Sequence, residues 1–187
     1  MKKIAIHALL AGAIGLFSLN SPVLAQTQVS ALPSEVSQVM AQAQLQGRST
    51  LRFFGMEIYE ARLWADSGFA LGRYGQLPFA LELEYRRSLR GHLIAKRSLD
   101  EMRAQKEFAS GRAVEWESQM QALFPDVKDG DRLVGLHLPG VGARFVYNGR
   151  VLGEVRDPLF ARLFFGIWLS PETSEPKMRC ALAACTP

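Results

Sequence analysis

Past Pro33 the apolar positions recur at helical spacing. Val36, Val39, Met40 and Ala43 predict a helix capped by Ser34, running to about Gln46 and closed by Gly47. The period then changes. From Arg48 to Ala65 the chain reads as extended, with Gly55 as a turn or bulge. Tyr59, Ala61 and Leu63 alternate with Glu60 and Arg62 there, as on a half-buried strand. Residues 66–78 are rich in Gly and Pro and read as a loop. Phe79, Leu81, Leu83 and Tyr85 alternate with Ala80, Glu82 and Glu84, the clearest strand in the chain. Glu82 and Glu84 therefore belong to a polar face and are expected to be solvated.

Two helical stretches follow. The first carries Ala95, Leu99 and Met102 on one face. The second carries Ala113, Trp116, Met120 and Leu123 and stops at Pro125. Beyond the Asp129-Gly130 turn come three short strands. Leu133–Leu138 is broken by Pro139 to Gly142, and Ala143–Tyr147 meets Asn148-Gly149, a strong signal for a tight hairpin, before Arg150–Arg156 returns. Asp157-Pro158 supplies an N-cap and a first-turn proline to a helix whose stripe is Phe160, Leu163, Phe164 and Ile167. A last short helix starts near Ser174 or Glu175, with Pro176 at its first position. Strands, then helices, then a meander, then helices imply an α+β fold with a large, mostly antiparallel sheet.

The first 25 residues have a different character. Lys2 and Lys3 precede an apolar run from Ile4 to Phe17, and Val23-Leu24-Ala25 offers small or medium residues for cleavage. The run is short for a bilayer span, which needs about 20 apolar residues. These features predict a Sec signal peptide cut after Ala25 and a periplasmic mature protein. No transmembrane segment is expected after cleavage; Leu159–Leu169 is too short and holds Arg162. The expected division is residues 1–25 as signal, 26–46 as leader and helix, and 47–187 as the main domain.

Charge and composition mostly exclude. The formal charge of +4 loses the two lysines of the signal and falls to +2, too mild for a nucleic-acid partner. His92 and His137 are the histidines left after cleavage, and neither sits in a ligating motif, so no metal site is assigned. His137, between Leu136 and Leu138, reads as a sheet residue rather than a base. There is no nucleophile elbow, phosphate loop or dinucleotide fingerprint, so no catalytic residue and no cofactor is assigned. Cys180 and Cys185 invite a disulfide in an oxidising compartment. A continuous helix would hold their Cα atoms about 8–9 Å apart, so a bond requires fraying near Ala184.

The remaining chemistry is arginine and tyrosine on strands: Arg48, Arg52 and Tyr59 in the first extended region, then Tyr85, Arg86 and Arg87. An arginine beside a tyrosine hydroxyl at the edge of an apolar cavity can hold a carboxylate or enolate. The same arginines could instead lay their stems over the sheet as surface groups.

Three stretches, in order, resemble the chalcone isomerase-like family of exported bacterial proteins. The first holds Gly47-Arg48, Leu51-Arg52, Gly55, Ile58-Tyr59 and Leu63-Trp64. The second is Phe79–Arg87, leading into the helix with Ala95 and Met102. The third holds Gly130-Asp131, Leu133, Pro139-Gly140, Asn148-Gly149, Gly153, Phe160-Ala161 and Gly166-Ile167-Trp168-Leu169. The resemblance spans most of residues 47–184. It implies helices packed on one side of the sheet and a ligand cleft between the two layers.

Plant enzymes of the family close a flavanone ring by adding a phenolate to an enone, with an arginine stabilising the enolate. The matching position is Arg48 or Arg52. Their threonine falls near Tyr59, and their tyrosine and asparagine have no match in residues 90–105. Fatty-acid-binding relatives hold a carboxylate with an arginine and a tyrosine, a pattern that Arg52 and Tyr59 fit better. The expectation is therefore a binder of a fatty acid or similar amphipathic acid. Its ligand-binding residues would be Arg52, with Arg48 in reserve, Tyr59 and Tyr85, and its tail cavity would be lined by the second strand and the helix from Pro158. The other classes left open are an isomerase or lyase on an enone-like substrate and an envelope interaction module. The identity of any protein partner is left open.

Overall fold

The computed structural model describes residues 31–183. After a short helix, α1 (Ser34–Ser37), the chain forms strands β1 (Gln44–Phe53), β2 (Met56–Ala65) and β3 (Phe79–Tyr85). Helices α2 (Gly91–Arg103) and α3 (Ala113–Leu123) follow. Strands β4 (Arg132–Leu138), β5 (Gly142–Tyr147) and β6 (Arg150–Val155) then lead to α4 (Pro158–Leu169) and α5 (Pro176–Ala183). The strands form one sheet in the order β1-β2-β3-β4-β5-β6, every neighbour antiparallel. The fold is α+β, as the pattern implied. Among the described residues no helix is long and apolar enough to cross a membrane.

Two hairpins frame the sheet, and both turn through left-handed backbone. Asn148 and Gly149 have φ 48° and 81°; Phe54 and Gly55 have φ 48° and 77°. Two consecutive positive φ values give the turn whose twist matches the flanking strands. Asparagine and glycine enter that region readily. Phenylalanine does not.

The inner face of the sheet carries the main core. Leu63, Phe79, Leu81, Tyr85, Leu133 and Phe145 meet Leu99, Met102, Trp116, Phe160 and Phe165 from the helices, all buried. Asp157 sets α4: its Oδ1 accepts from the backbone N–H of Leu159 (2.9 Å) and Phe160 (3.2 Å), while Oδ2 accepts from Trp116 Nε1 at 2.8 Å. That carboxylate both caps α4 and fastens α3 to it. The start of α2 is held by Asp126, whose Oδ1 accepts from the Gly91 N–H at 2.9 Å. At the other end, α5 crosses β1 so closely that a Cβ on Gly47 would lie 2.1 Å from the Ala181 carbonyl oxygen. Only glycine allows that approach.

The structure corrects the predicted helix at Ser34–Gln46. Helix persists only to Ser37, Pro33 rather than Ser34 stands at the N-cap position, and Gln44 already pairs with Ala65 in β1. Val36, Met40 and Ala43 are nonetheless buried. They cover the outer face of the sheet at Trp64, Ala80, Val134, Leu136 and Val146. A turn and an irregular segment serve that contact as well as a helix would, and the sheet claims the residues beyond. The expected loop at 66–78 contains a 3-10 helix, Leu71–Gln76.

A second correction concerns Glu82, which is 3% exposed rather than solvated. It accepts from Trp64 Nε1 at 2.7 Å and Arg62 Nη1 at 3.3 Å, and Arg132 lies 3.6 Å away. Glu84 is half-buried beside Arg62, which, with Arg86, holds its carboxyl below the usual carboxylate range. The N-terminal segment closes over this charged patch, since Glu35 pairs with Arg132 at 2.9 Å. The anticipated signal, residues 1–25, and Cys185 of the anticipated disulfide lie outside the described residues.

Candidate functional site: an apolar cavity between sheet and helices

A cavity of about 380 Å³ lies where the inner face of β1–β3 parts from α2 and α4. That volume is in the range of small-molecule sites, about 300–1,000 Å³. Its floor is apolar: Leu83, Leu133, Phe124 and Phe164 are buried or nearly so. Phe53 and Leu93 also line it and are 61% and 52% exposed, which marks that end as the mouth.

The polar groups are few. Tyr59 and Tyr85 are register partners on β2 and β3, so both side chains emerge on the inner face, rings 6.0 Å apart edge to face. Trp168 Nε1 on α4 donates to the Tyr59 hydroxyl at 3.0 Å. The Tyr85 residue is 1% exposed, and its hydroxyl has no hydrogen-bond partner among the described residues. Burial pushes both phenols up, above their already high ordinary range, so each is a neutral O–H donor at any physiological pH. That hydroxyl is not one of the fully enclosed polar atoms, so it faces the cavity and is open to an acceptor there. Tyr85 is therefore a donor in search of an acceptor.

Charge gathers toward the mouth. Arg52 pairs with Glu57, the two side chains 58% and 46% exposed. Arg97 on α2 pairs with Glu101 one turn on, and Ser174 Oγ donates to Glu101 at 2.9 Å. The Arg52–Glu57 pair is exposed on both sides and worth only about 0–1 kcal/mol, so an incoming anion can take over the Arg52 guanidinium at little expense, whereas Glu101 is only 12% exposed.

The structure thus brings three of the four anticipated residues to one cavity: Arg52, Tyr59 and Tyr85. Arg48 is not among its walls. It is exposed, in register with Arg62, whose guanidinium meets Glu82 and Glu84 beneath the opposite face of the sheet. A strand alternates sides, and a bulge between Leu51 and Arg52 re-aims Arg52 toward the mouth. The stripe on α4 divides. Phe164, Ile167 and Trp168 line the cavity, whereas Phe160 and Phe165 are fully buried core.

The α2 contribution was missed. Ile94, Arg97, Ser98 and Glu101 recur at three- and four-residue spacing on a face next to that of Ala95, Leu99 and Met102. A polar stripe beside an apolar one looks like ordinary solvated helix surface until a cavity is found under it. His137 is a sheet residue as read. It donates from Nδ1 to the Leu77 carbonyl at 2.7 Å and stacks on Phe79, and burial lowers its pKa. Among the described residues no three acidic, histidine or cysteine side chains cluster to hold a metal.

Three comparisons bear on this arrangement. A family model described as chalcone isomerase-like matches residues 25–183. A Haemophilus influenzae protein called only an uncharacterized protein is 30% identical over 129 residues, which are 69% of this chain; the match spans 62% of that relative's length. The crystal structure of an Arabidopsis thaliana fatty-acid binding protein superposes with a TM-score of 0.61 at 12% identity, over 76% of this chain and 87% of that one. At such identity the likeness is one of fold.

Proposed function

This chain belongs to the chalcone isomerase-like family, and on that footing we propose that it binds a fatty acid or similar amphipathic acid in the cavity between sheet and helices. The observation that carries the reading is the Tyr85 hydroxyl on the cavity wall without a protein partner, beside Tyr59, in an otherwise apolar hollow. The two phenols offer neutral donors to an oxygen of the ligand headgroup. Arg52 and Arg97 supply positive charge at the mouth, and the apolar floor takes the tail. The fatty-acid binding named for the Arabidopsis neighbour is consistent with this chemistry and lends it support. The protein works in the periplasm, after cleavage behind Ala25.

Titration calorimetry of the delipidated protein with saturated fatty acids of graded length tests the reading. One-to-one binding with a negative heat-capacity change is expected, because apolar surface leaves water. Absence of heat at every length, together with an apo mass for protein taken straight from cells, would sink it.

A further inference from the structure

The β1–β2 hairpin ends in three exposed apolar side chains. Phe54 is 86% exposed, Phe53 61% and Met56 47%, and none belongs to either core cluster. The two rings touch edge to face, centroids 4.4 Å apart. Phe54 also occupies a left-handed position, φ 48°, where the equivalent turn of the β5–β6 hairpin has Asn148. Water does not favour an exposed phenyl, nor does that backbone favour phenylalanine, so neither stability nor solubility accounts for the residue. The tip is continuous with the site, since Phe53 lines the cavity mouth and Leu93 faces it there. Arginines stand around it, two of them paired with acids, and Glu175 also lines the mouth. Arg87 donates to Met56 Sδ at 3.1 Å and forms no ion pair among the described residues, while Arg52 and Arg97 occupy the mouth beside Glu57 and Glu101.

We propose that this tip docks on an anionic lipid bilayer, its phenyl rings entering the headgroup boundary and its arginines meeting lipid phosphates, so that the cavity mouth opens onto the membrane. The proposal rests on the cavity reading above, for which it supplies the ligand's source. A bilayer suits the tip better than a protein partner does. A stable protein interface buries about 800 Å² on each side, more than the end of a two-residue turn presents. Aromatic rings flanked by basic residues are the combination that interfacial lipid attracts.

The test is co-sedimentation with vesicles of phosphatidylcholine alone and with added phosphatidylglycerol, using the wild type and Phe54→Asn. Asparagine suits the turn, so the variant keeps its fold, and Phe54 lies outside the cavity wall. Wild type should bind the anionic vesicles, more weakly as salt rises, and Phe54→Asn should lose roughly tenfold. Both proteins should bind a soluble short-chain fatty acid equally in vesicle-free buffer. Unchanged vesicle binding by Phe54→Asn, or no binding by wild type to either composition, overturns the proposal. Self-association that needs Phe54, without vesicle binding, overturns it in favour of a second copy. Vesicle docking in a protein that binds no fatty acid supports the docking and removes only the cavity reading.

Discussion

Replacing Tyr85 by Phe separates a ligand-binding hydroxyl from a structural one. The ring is 1% exposed and packs against Tyr59 at 6.0 Å, contacts that phenylalanine keeps. Only the hydroxyl goes, and it has no hydrogen-bond partner among the described residues. Its removal should leave the stability of the ligand-free protein within about 1 kcal/mol, since no protein hydrogen bond is lost. Affinity should fall. A hydrogen bond to a charged acceptor is worth about 1.5–3 kcal/mol, so the dissociation constant should rise roughly 10- to 100-fold.

Urea unfolding of the apo protein and calorimetry with one fatty acid give the two numbers. Tyr59→Phe is the contrast. It removes the acceptor of the buried Trp168 N–H, so that variant should lose about 1–3 kcal/mol of stability as well as affinity. Unchanged affinity in Tyr85→Phe, or an apo protein destabilised by more than about 1 kcal/mol, would refute the reasoning.

Other outcomes follow from the same geometry. Each added tail methylene should tighten binding about fourfold, from about 0.8 kcal/mol apiece, until the floor at Phe124 and Phe164 is reached. Phe164 also walls a smaller void beside Leu81 and Gly135, so Phe164→Ala should move the plateau to longer acids while costing about 3–5 kcal/mol of stability, read by calorimetry and urea unfolding. His137 is held below its usual pKa of 6.5 by burial, so the unfolded chain takes up its proton first. The stability it supports is present above about pH 6.5 and is lost as pH falls through the lowered folded value. His137→Asn keeps a donor for Leu77 and should flatten that decline between pH 7.5 and 5.5 in urea midpoints. Glu82→Ala leaves the buried Trp64 N–H without its acceptor, while Arg62 keeps Glu84, and should cost about 1–3 kcal/mol, measured the same way. Export is checked by fractionating cells and sequencing the mature N-terminus, which should begin at Gln26; an intact Met1 in the cytoplasm would refute it.

Local chemistry was legible in the amino-acid sequence wherever neighbours along the chain decide the outcome. The alternation of Phe79–Tyr85, the Asn148-Gly149 turn, the Asp157-Pro158 helix start and Pro176 at the head of α5 all stand where the pattern placed them. Each depends on contacts a few residues long, and the α+β layout follows from their order. Tertiary structure decided the rest. Val36, Met40 and Ala43 have helical spacing, yet the sheet's outer face shortens the helix to one turn. Glu82 sits on a polar stripe, yet the N-terminal segment buries it with Arg62 and Arg132.

Arg48 and Arg52 are equivalent in sequence, and a bulge with the opposing strand sends only the second to the cavity. Arg97 and Glu101 became site residues because α2 spans a hollow there instead of resting on the sheet. Periodicity records which side of an element an apolar side chain takes, but a polar residue is as compatible with solvent as with a cavity wall. Which of the two it meets depends on elements far away in the chain, and on where their packing leaves space.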